Sequence, residues 1–396
     1  MGERKMTDLQ RSVLALIRSA LTGAPQSLPD SFSMAEVCPI IRKHQIMTLA
    51  YEGAALCGVS PALPEMQQLF KLYCQCLLKS EQQLRAIASI YSAFDANKID
   101  YLPLKGCNLK HLYPKPELRL MGDADILIRT EQYDEIRPIM EKLGFTAQTE
   151  SDHEFIWNSP GLFLELHKRL MPSYNKDYHR YFGDGWNLAK PLENSRYHMS
   201  NEDEFVYIFC HFAKHYRSGG IGLRHVTDLW VYLQAHPNMD VSYLTEELKK
   251  LQLLDFYRNM RKLLSVWFED AKSDDKTDFL TEYIFASGVW GSMTSMYISH
   301  ALQDSKKTGS TYRAKCHRFL RMVFLPYVHM CKHYPVLKKC PVLLPLFWPV
   351  RWITAILFRR KNIAAQQQEL KVSNKENVAS FEASLNYVGL NFNFEE

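Results

Sequence analysis

From Pro64 to Ala96 the apolar residues Leu69, Leu72, Cys76, Leu77, Leu84, Ile87 and Ile90 recur mostly every three or four positions, and at Lys98-Ile99-Asp100 that rhythm stops. A period near 3.6 belongs to a helix, whereas short apolar runs bounded by glycine and polar residues belong to strands. The chain therefore has to join a helical region to a β-rich one. Strands are expected at Tyr101–Leu104, 124–128, 145–148, 154–157 and 162–166, with a helix over 130–143 that Gly144 stops. Upstream, Thr7 and Ser33 can cap two helices, the first carrying Leu9, Val13, Leu16 and Ile17 on one face. After Asn201 helical spacing returns over 203–217, 224–235, 242–251 and 254–272. The expected fold class is α+β: a small mixed-sheet domain over 99–190, flanked by an N-terminal helical region (1–98) and a C-terminal helical domain (191–361). A polar tail over 362–396, rich in Gln and Asn, is expected to be loosely held.

The 396 residues, 46% apolar and 23% charged, suffice for two or three domains and exclude a collagen-like, disulfide-dense or wholly disordered chain. Nine cysteines form no CxxC pair, and the N-terminal apolar residues are interrupted by Arg11 and Arg18, so a secretory leader is not expected. The expected location is cytoplasmic, with an option of peripheral placement at the inner face of the membrane. That option comes from the segment 306–361, which holds thirteen Lys and Arg and no Asp or Glu, interleaved with Phe, Trp, Leu and Pro. A spanning helix is disfavoured there by three prolines and by Arg351 within the apolar run 341–358. Two readings stay open: a segment that packs on the body with a solvated basic face, or one that contacts anionic lipid or a phosphorylated glycolipid. Nucleic acid ranks third, since the aromatics read as core residues.

The chemistry concentrates in YLPLKGCNLKHLYPKPELRLMGDADILIR and LFLELHKRL. Asp123 and Asp125, two apart at the entry to a strand, project from one face, and Glu165 in a later strand faces opposite to Leu164 and Leu166. If the two strands are neighbours, three carboxylates converge, and their repulsion is relieved by a divalent cation for which oxygen ligands suit Mg²⁺. Two metals held in this way can activate an attacking oxygen and stabilise a leaving pyrophosphate. Upstream, the Lys105-Gly106 turn leads into a short helix, where glycine allows a phosphate to approach, Lys105 adds a point charge and Arg119 a bidentate one.

This ordered set resembles an uncharacterised bacterial nucleotidyltransferase family of the minimal nucleotidyltransferase superfamily, which has the DNA polymerase beta-like catalytic fold. Its members carry the Leu104-Lys105-Gly106 turn, the Tyr113-Pro114 step, an Arg before the paired-Asp strand and the Glu165-Leu166-His167 strand. Downstream, His211, His215 and the stretch Leu223 to Asp228 also follow the family pattern, so the likeness covers about residues 5–350. The resemblance implies Asp123 and Asp125 as ligands shared by the metals, Glu165 as third carboxylate and base, and Lys105 and Gly106 at the triphosphate. Where the wider superfamily has Gly-Ser at the turn, this chain has Gly106-Cys107, and a thiol is a poor donor to phosphate.

His167 shares the face of Glu165 and is read either as an acceptor or phosphate contact or as a locally bonded histidine. His211 and His215, at i and i+4, lack the glutamate of a metalloprotease helix and are read as structural or as lining for an acceptor. Arg224 and Asp228 stand one turn apart and either pair with each other or close the cleft from the helical side. The expected function is Mg²⁺-dependent transfer of a nucleoside monophosphate from an NTP to an unidentified acceptor, with a sugar phosphate or lipid-linked glycan among the options. The alternative is a non-catalytic relative serving as a nucleotide sensor or as a membrane or partner docking module.

Overall fold

The structure, a computed structural model, describes residues 6–288, 291–358 and 360–391. It divides into two compact units. The first comprises residues up to Lys214, those from Ile221 through 288, and a short return from Val388; the second comprises His215–Gly220 and Gly291–Tyr387.

The first unit opens with helix Asp8–Thr22, started by a reciprocal Thr7–Gln10 capping box and ended by Gly23 in the left-handed region. Helices Met34–His44 and Met47–Leu56 follow, then the long helix Pro64–Ala96, with proline at its first position. The sheet comes next: β1 (Tyr101–Leu104), β2 (Asp123–Ile128), β3 (Thr146–Glu150), β4 (Glu154–Ser159), β5 (Leu162–His167), β6 (Lys190–Glu193) and β7 (Arg196–His198). Their spatial order is β3-β4-β5-β2-β1-β7-β6. The β2/β5 and β1/β7 pairs are parallel and the others antiparallel, so the sheet is mixed.

Alternation along the central strands divides the two faces. Ala124, Ile126 and Ile128 of β2 and Leu164 and Leu166 of β5 pack with Trp157 against Ile87, Ile90 and Phe94 from the second half of the long helix. That apolar layer leaves the carboxylate-bearing positions on the opposite face. The expectation of an α+β fold with a mixed sheet between helical regions matches this architecture.

Four features differ from the sequence expectations. The hairpin β6–β7 was not expected; its strands carry Lys, Glu, Arg and His on an exposed edge, which masks alternation, and Asn194 adopts a positive φ at its turn. Since β7 pairs with β1 at Arg196, the sheet runs past the expected boundary at 190. The helices from Leu223 to Ala286 fall in the first unit, so the expected C-terminal domain is divided. The stretch beyond 362 forms helices Arg360–Val372 and Lys375–Tyr387, with Val378, Phe381 and Leu385 buried at roughly helical spacing; residues 392–396 of the expected tail lie outside the described residues. Of the basic segment 306–361, Arg359 likewise lies outside them.

Candidate active site

Parallel pairing places Asp125 directly opposite Glu165, with His167 one pleat further on the same face. One ligand atom each from Asp125, Glu165 and His167 lies within 4.8 Å of the others, a grouping able to hold a metal ion. Asp123 opens the same strand face but is outside this tight group, so of the three expected carboxylates the structure brings Asp125 and Glu165 together most closely.

Asp125 is buried and its Oδ1 accepts twice, from Lys105 Nζ at 2.7 Å and from His167 Nε2 at 2.9 Å. Burial alone would push its carboxyl up, but the Lys105 ammonium and the His167 bond outweigh it and hold Asp125 well below the usual carboxylate range. Burial likewise opposes the charge on His167, yet the bonds to Asp125 and Glu165 raise its pKa above the ordinary value. Glu165 Oε2 stands 3.5 Å from the same Nε2. Asp123 goes the other way: burial, then the charges of Asp125 and Glu165, push it up to about 6. The group thus contains one firmly ionised carboxylate and one poised near neutrality.

Lys105 reaches Asp125 from an unusual backbone. It has φ 43° and ψ −111°, outside the regions that L-residues favour, at the elbow between β1 and the short helix Gly106–Leu109. Gly106 follows because a Cβ there would meet Arg119 Nη1 at 2.9 Å and Met121 Sδ at 3.0 Å. The glycine therefore answers to close packing against these two side chains. Cys107 is buried in the apolar layer, and burial pushes its thiol up to about 12.

Arg119, expected at the triphosphate, instead spends its fork on Asp228, with Nε–Oδ1 at 2.8 Å and Nη2–Oδ2 at 2.9 Å. Tyr113 completes this buried triad by donating to Asp228 Oδ1 at 2.7 Å. The expected Arg224–Asp228 pairing is replaced accordingly, and Arg224 donates to the Leu120 carbonyl at 3.0 Å. Helix spacing permits the Arg224–Asp228 pair, but the planar guanidinium of Arg119 matches the carboxylate bidentately. His211 and His215 stand on helix Asn201–Arg217, and neither belongs to the ligand group around Asp125.

Two residues at the site escaped the sequence reading. Glu154 on β4 pairs across the strands with His167, and both His153 and Glu165 pull its pKa down against burial. The alternation Glu154, Ile156, Asn158 against Phe155 and Trp157 carried that signal. Lys214 lies seven residues after Tyr207 on one helix, and both feel the charges of Lys105, Asp125 and Glu165. Burial, then the neighbouring Lys105, bring Lys214 down to about 8, and among the described residues it makes no hydrogen bond or ion pair. Nothing in local sequence distinguishes it from a surface lysine.

Paired strands bearing acids and a strained lysine elbow, backed by a helix-covered apolar face, define a nucleotidyltransferase-like α+β protein. A family model described as uncharacterised nucleotidyltransferase matches residues 30–269, and the chain belongs to that family. The match takes in the whole sheet and ends before the basic segment, a narrower span than the resemblance implied. No curated protein and no solved structure matches the chain.

Proposed function

We propose that the chain is a Mg²⁺-dependent nucleotidyltransferase that moves a nucleoside monophosphate from an NTP to an acceptor hydroxyl, with pyrophosphate as leaving group. The observation that carries this reading is the register that sets Asp125 against Glu165 on the face of the sheet opposite its apolar layer. The donor set fits a divalent cation: Asp125 and Glu165 offer hard oxygen ligands, Asp123 opens the same strand face, and an ion there would relieve the part of the rise of Asp123 to about 6 that comes, beside burial, from the charges of Asp125 and Glu165. When bound, the metal supplies charge neutralisation on the triphosphate and a more acidic acceptor hydroxyl.

The remaining work falls to side chains of this protein. Lys105 and His167 keep Asp125 ionised and fix its orientation. Glu165 is the acceptor's base, taking the hydroxyl proton on its carboxylate. Lys214 brings a positive charge that no acid has claimed, suited to the phosphates that carry negative charge through the reaction. The acceptor is unidentified, and sugar phosphates and lipid-linked glycans are the first candidates to test. A second reading, a non-catalytic nucleotide sensor, draws on one observation: the Lys105 ammonium already satisfies one oxygen of Asp125.

The test is pyrophosphate release from each NTP in the presence of sugar phosphates and lipid-linked glycans, with and without Mg²⁺. The expected outcome is Mg²⁺-dependent release with one nucleotide, lowered by roughly 100-fold or more in Asp125→Asn and Glu165→Gln. Release at the wild-type rate in Asp125→Asn would contradict the assignment.

A further inference from the structure

In the second unit, helix Leu344–Phe358 presents two unlike faces. Trp348, Arg351 and Trp352 point one way, and their ring and guanidinium N–H groups donate to the carbonyls of Leu325, Met322 and Val323, which follow or end helix Thr311–Val323. Leu344, Phe347 and Trp348 on that side pack on the small core of Met330, Cys331 and Leu337. On the far side, Leu346, Val350, Ile353 and Leu357 follow one another at spacings of four, three and four, within an arc of about 60°. They are 67%, 44%, 58% and 59% exposed. A contiguous outward apolar stripe of this kind marks an interaction surface.

The surroundings of the stripe choose its partner. No acid occurs anywhere in 306–361, and Arg313, Arg321, Lys332, Lys338 and Lys339 are exposed. Lys306 and Arg318 are paired to Glu382, Asp304 and Glu369, but among the described residues the five exposed cations are not, and apolar residues beside unpaired cations match the layered chemistry of a lipid surface, with anionic headgroups above acyl chains. A second copy of the chain would bring the same positive charge against itself.

We infer that the outward face of helix Leu344–Phe358 docks on a bilayer containing anionic lipid, lying along the interface without crossing it. Together with the turn before it, Pro341–Phe358 is, among the described residues, the one helix long and apolar enough to cross a membrane. Three observations favour the in-plane position. The fifteen residues of the α-helix itself span about 22 Å, short of a hydrocarbon core of about 30 Å. Arg351 sits in mid-helix with its guanidinium committed to carbonyls. The Trp face is occupied by the rest of the unit, which leaves one side for lipid.

The experiment is co-sedimentation of the full chain with vesicles of phosphatidylcholine alone or with about one third phosphatidylglycerol, at low and high salt. The chain is expected to pellet with the anionic vesicles at low salt, at least tenfold more than with neutral ones, and alkaline carbonate is expected to release it. Leu346→Asp/Ile353→Asp, at exposed positions, is expected to retain the circular dichroism spectrum and lose at least tenfold in partitioning. Lys338→Glu/Lys339→Glu is expected to weaken binding to anionic vesicles alone. Failure of the wild type to pellet, undiminished pelleting of the Asp variant, or resistance to carbonate would overturn the inference. So would a dimer that dissociates in the Asp variant, which would place a second copy on the stripe.

Discussion

At the scale of single residues, the site is organised around one carboxylate. Asp125 receives Lys105 and His167 on the same oxygen, so its charge is secured before any ligand arrives. Lys214 is the opposite case, a half-buried ammonium with no bonded partner among the described residues. Its pKa falls from the ordinary 10.5 to about 8, so the folded state holds the charged form at a cost. Lys214→Met is therefore expected to stabilise the protein at pH 7, by about 1–3 kcal/mol in urea unfolding, while lowering nucleotidyl transfer by tenfold or more. A variant that is both less stable and fully active would show that Lys214 serves packing. The cluster was legible in the sequence where alternation fixed the facing of Asp123, Asp125 and Glu165. It was illegible where tertiary contact decides, as with Lys214 and with the diversion of Arg119 to Asp228, a partner more than one hundred residues away.

At the scale of elements, long periodic stretches were readable and short edge strands were not. The helix Pro64–Ala96 and the β2 and β5 strands declare themselves because one face of each is packed in a single apolar layer. The β6–β7 hairpin has no such layer to impose a pattern. Helix packing also carries a pH dependence. His44, at the end of Met34–His44, accepts the Leu223 N–H on Nδ1 and donates through Nε2 to the Phe285 carbonyl, which ties three helices together through a neutral ring. Burial, opposed in part by the Phe285 carbonyl, lowers it to about 4; burial and the charges of Arg224 and Arg119 lower His225 to about 3. For a histidine with a depressed folded pKa, the unfolded chain binds the extra proton. The stability contribution is then complete above pH 6.5 and is lost as the pH falls through about 4. His44 alone accounts for about 3 kcal/mol over that window. Urea unfolding at pH 7.5, 5.5 and 4.5 is expected to show the decline, with a shallower slope in His44→Gln; identical slopes would contradict it.

At the scale of the whole molecule, the chain leaves the first unit after residue 288, builds the second, and returns at Val388, where Val388 and Leu390 are buried and Asn259 donates to the Val388 carbonyl. Apart from His215–Gly220, the family match falls within the first unit, and the basic, apolar-striped helices lie beyond it. The proposed chemistry and the inferred docking face thus fall in separate parts of one chain. The sequence disclosed this division through charge, since the acids of the site and the acid-free segment 306–361 are far apart along it. The structured character of the region past 362 was hidden by its Gln and Asn content, because the buried apolar residues that order helix Lys375–Tyr387 are few: Val378, Phe381 and Leu385. The proposed chemistry depends most on Asp125 and its neighbours holding a metal–nucleotide complex. Calorimetric titration of ATP, GTP, CTP and UTP, with and without Mg²⁺, into the wild type and Asp125→Asn tests it directly. The expected result is binding of one nucleotide that requires Mg²⁺ and is lost in the variant. Nucleotide binding of equal strength without Mg²⁺, or unchanged in Asp125→Asn, would contradict it.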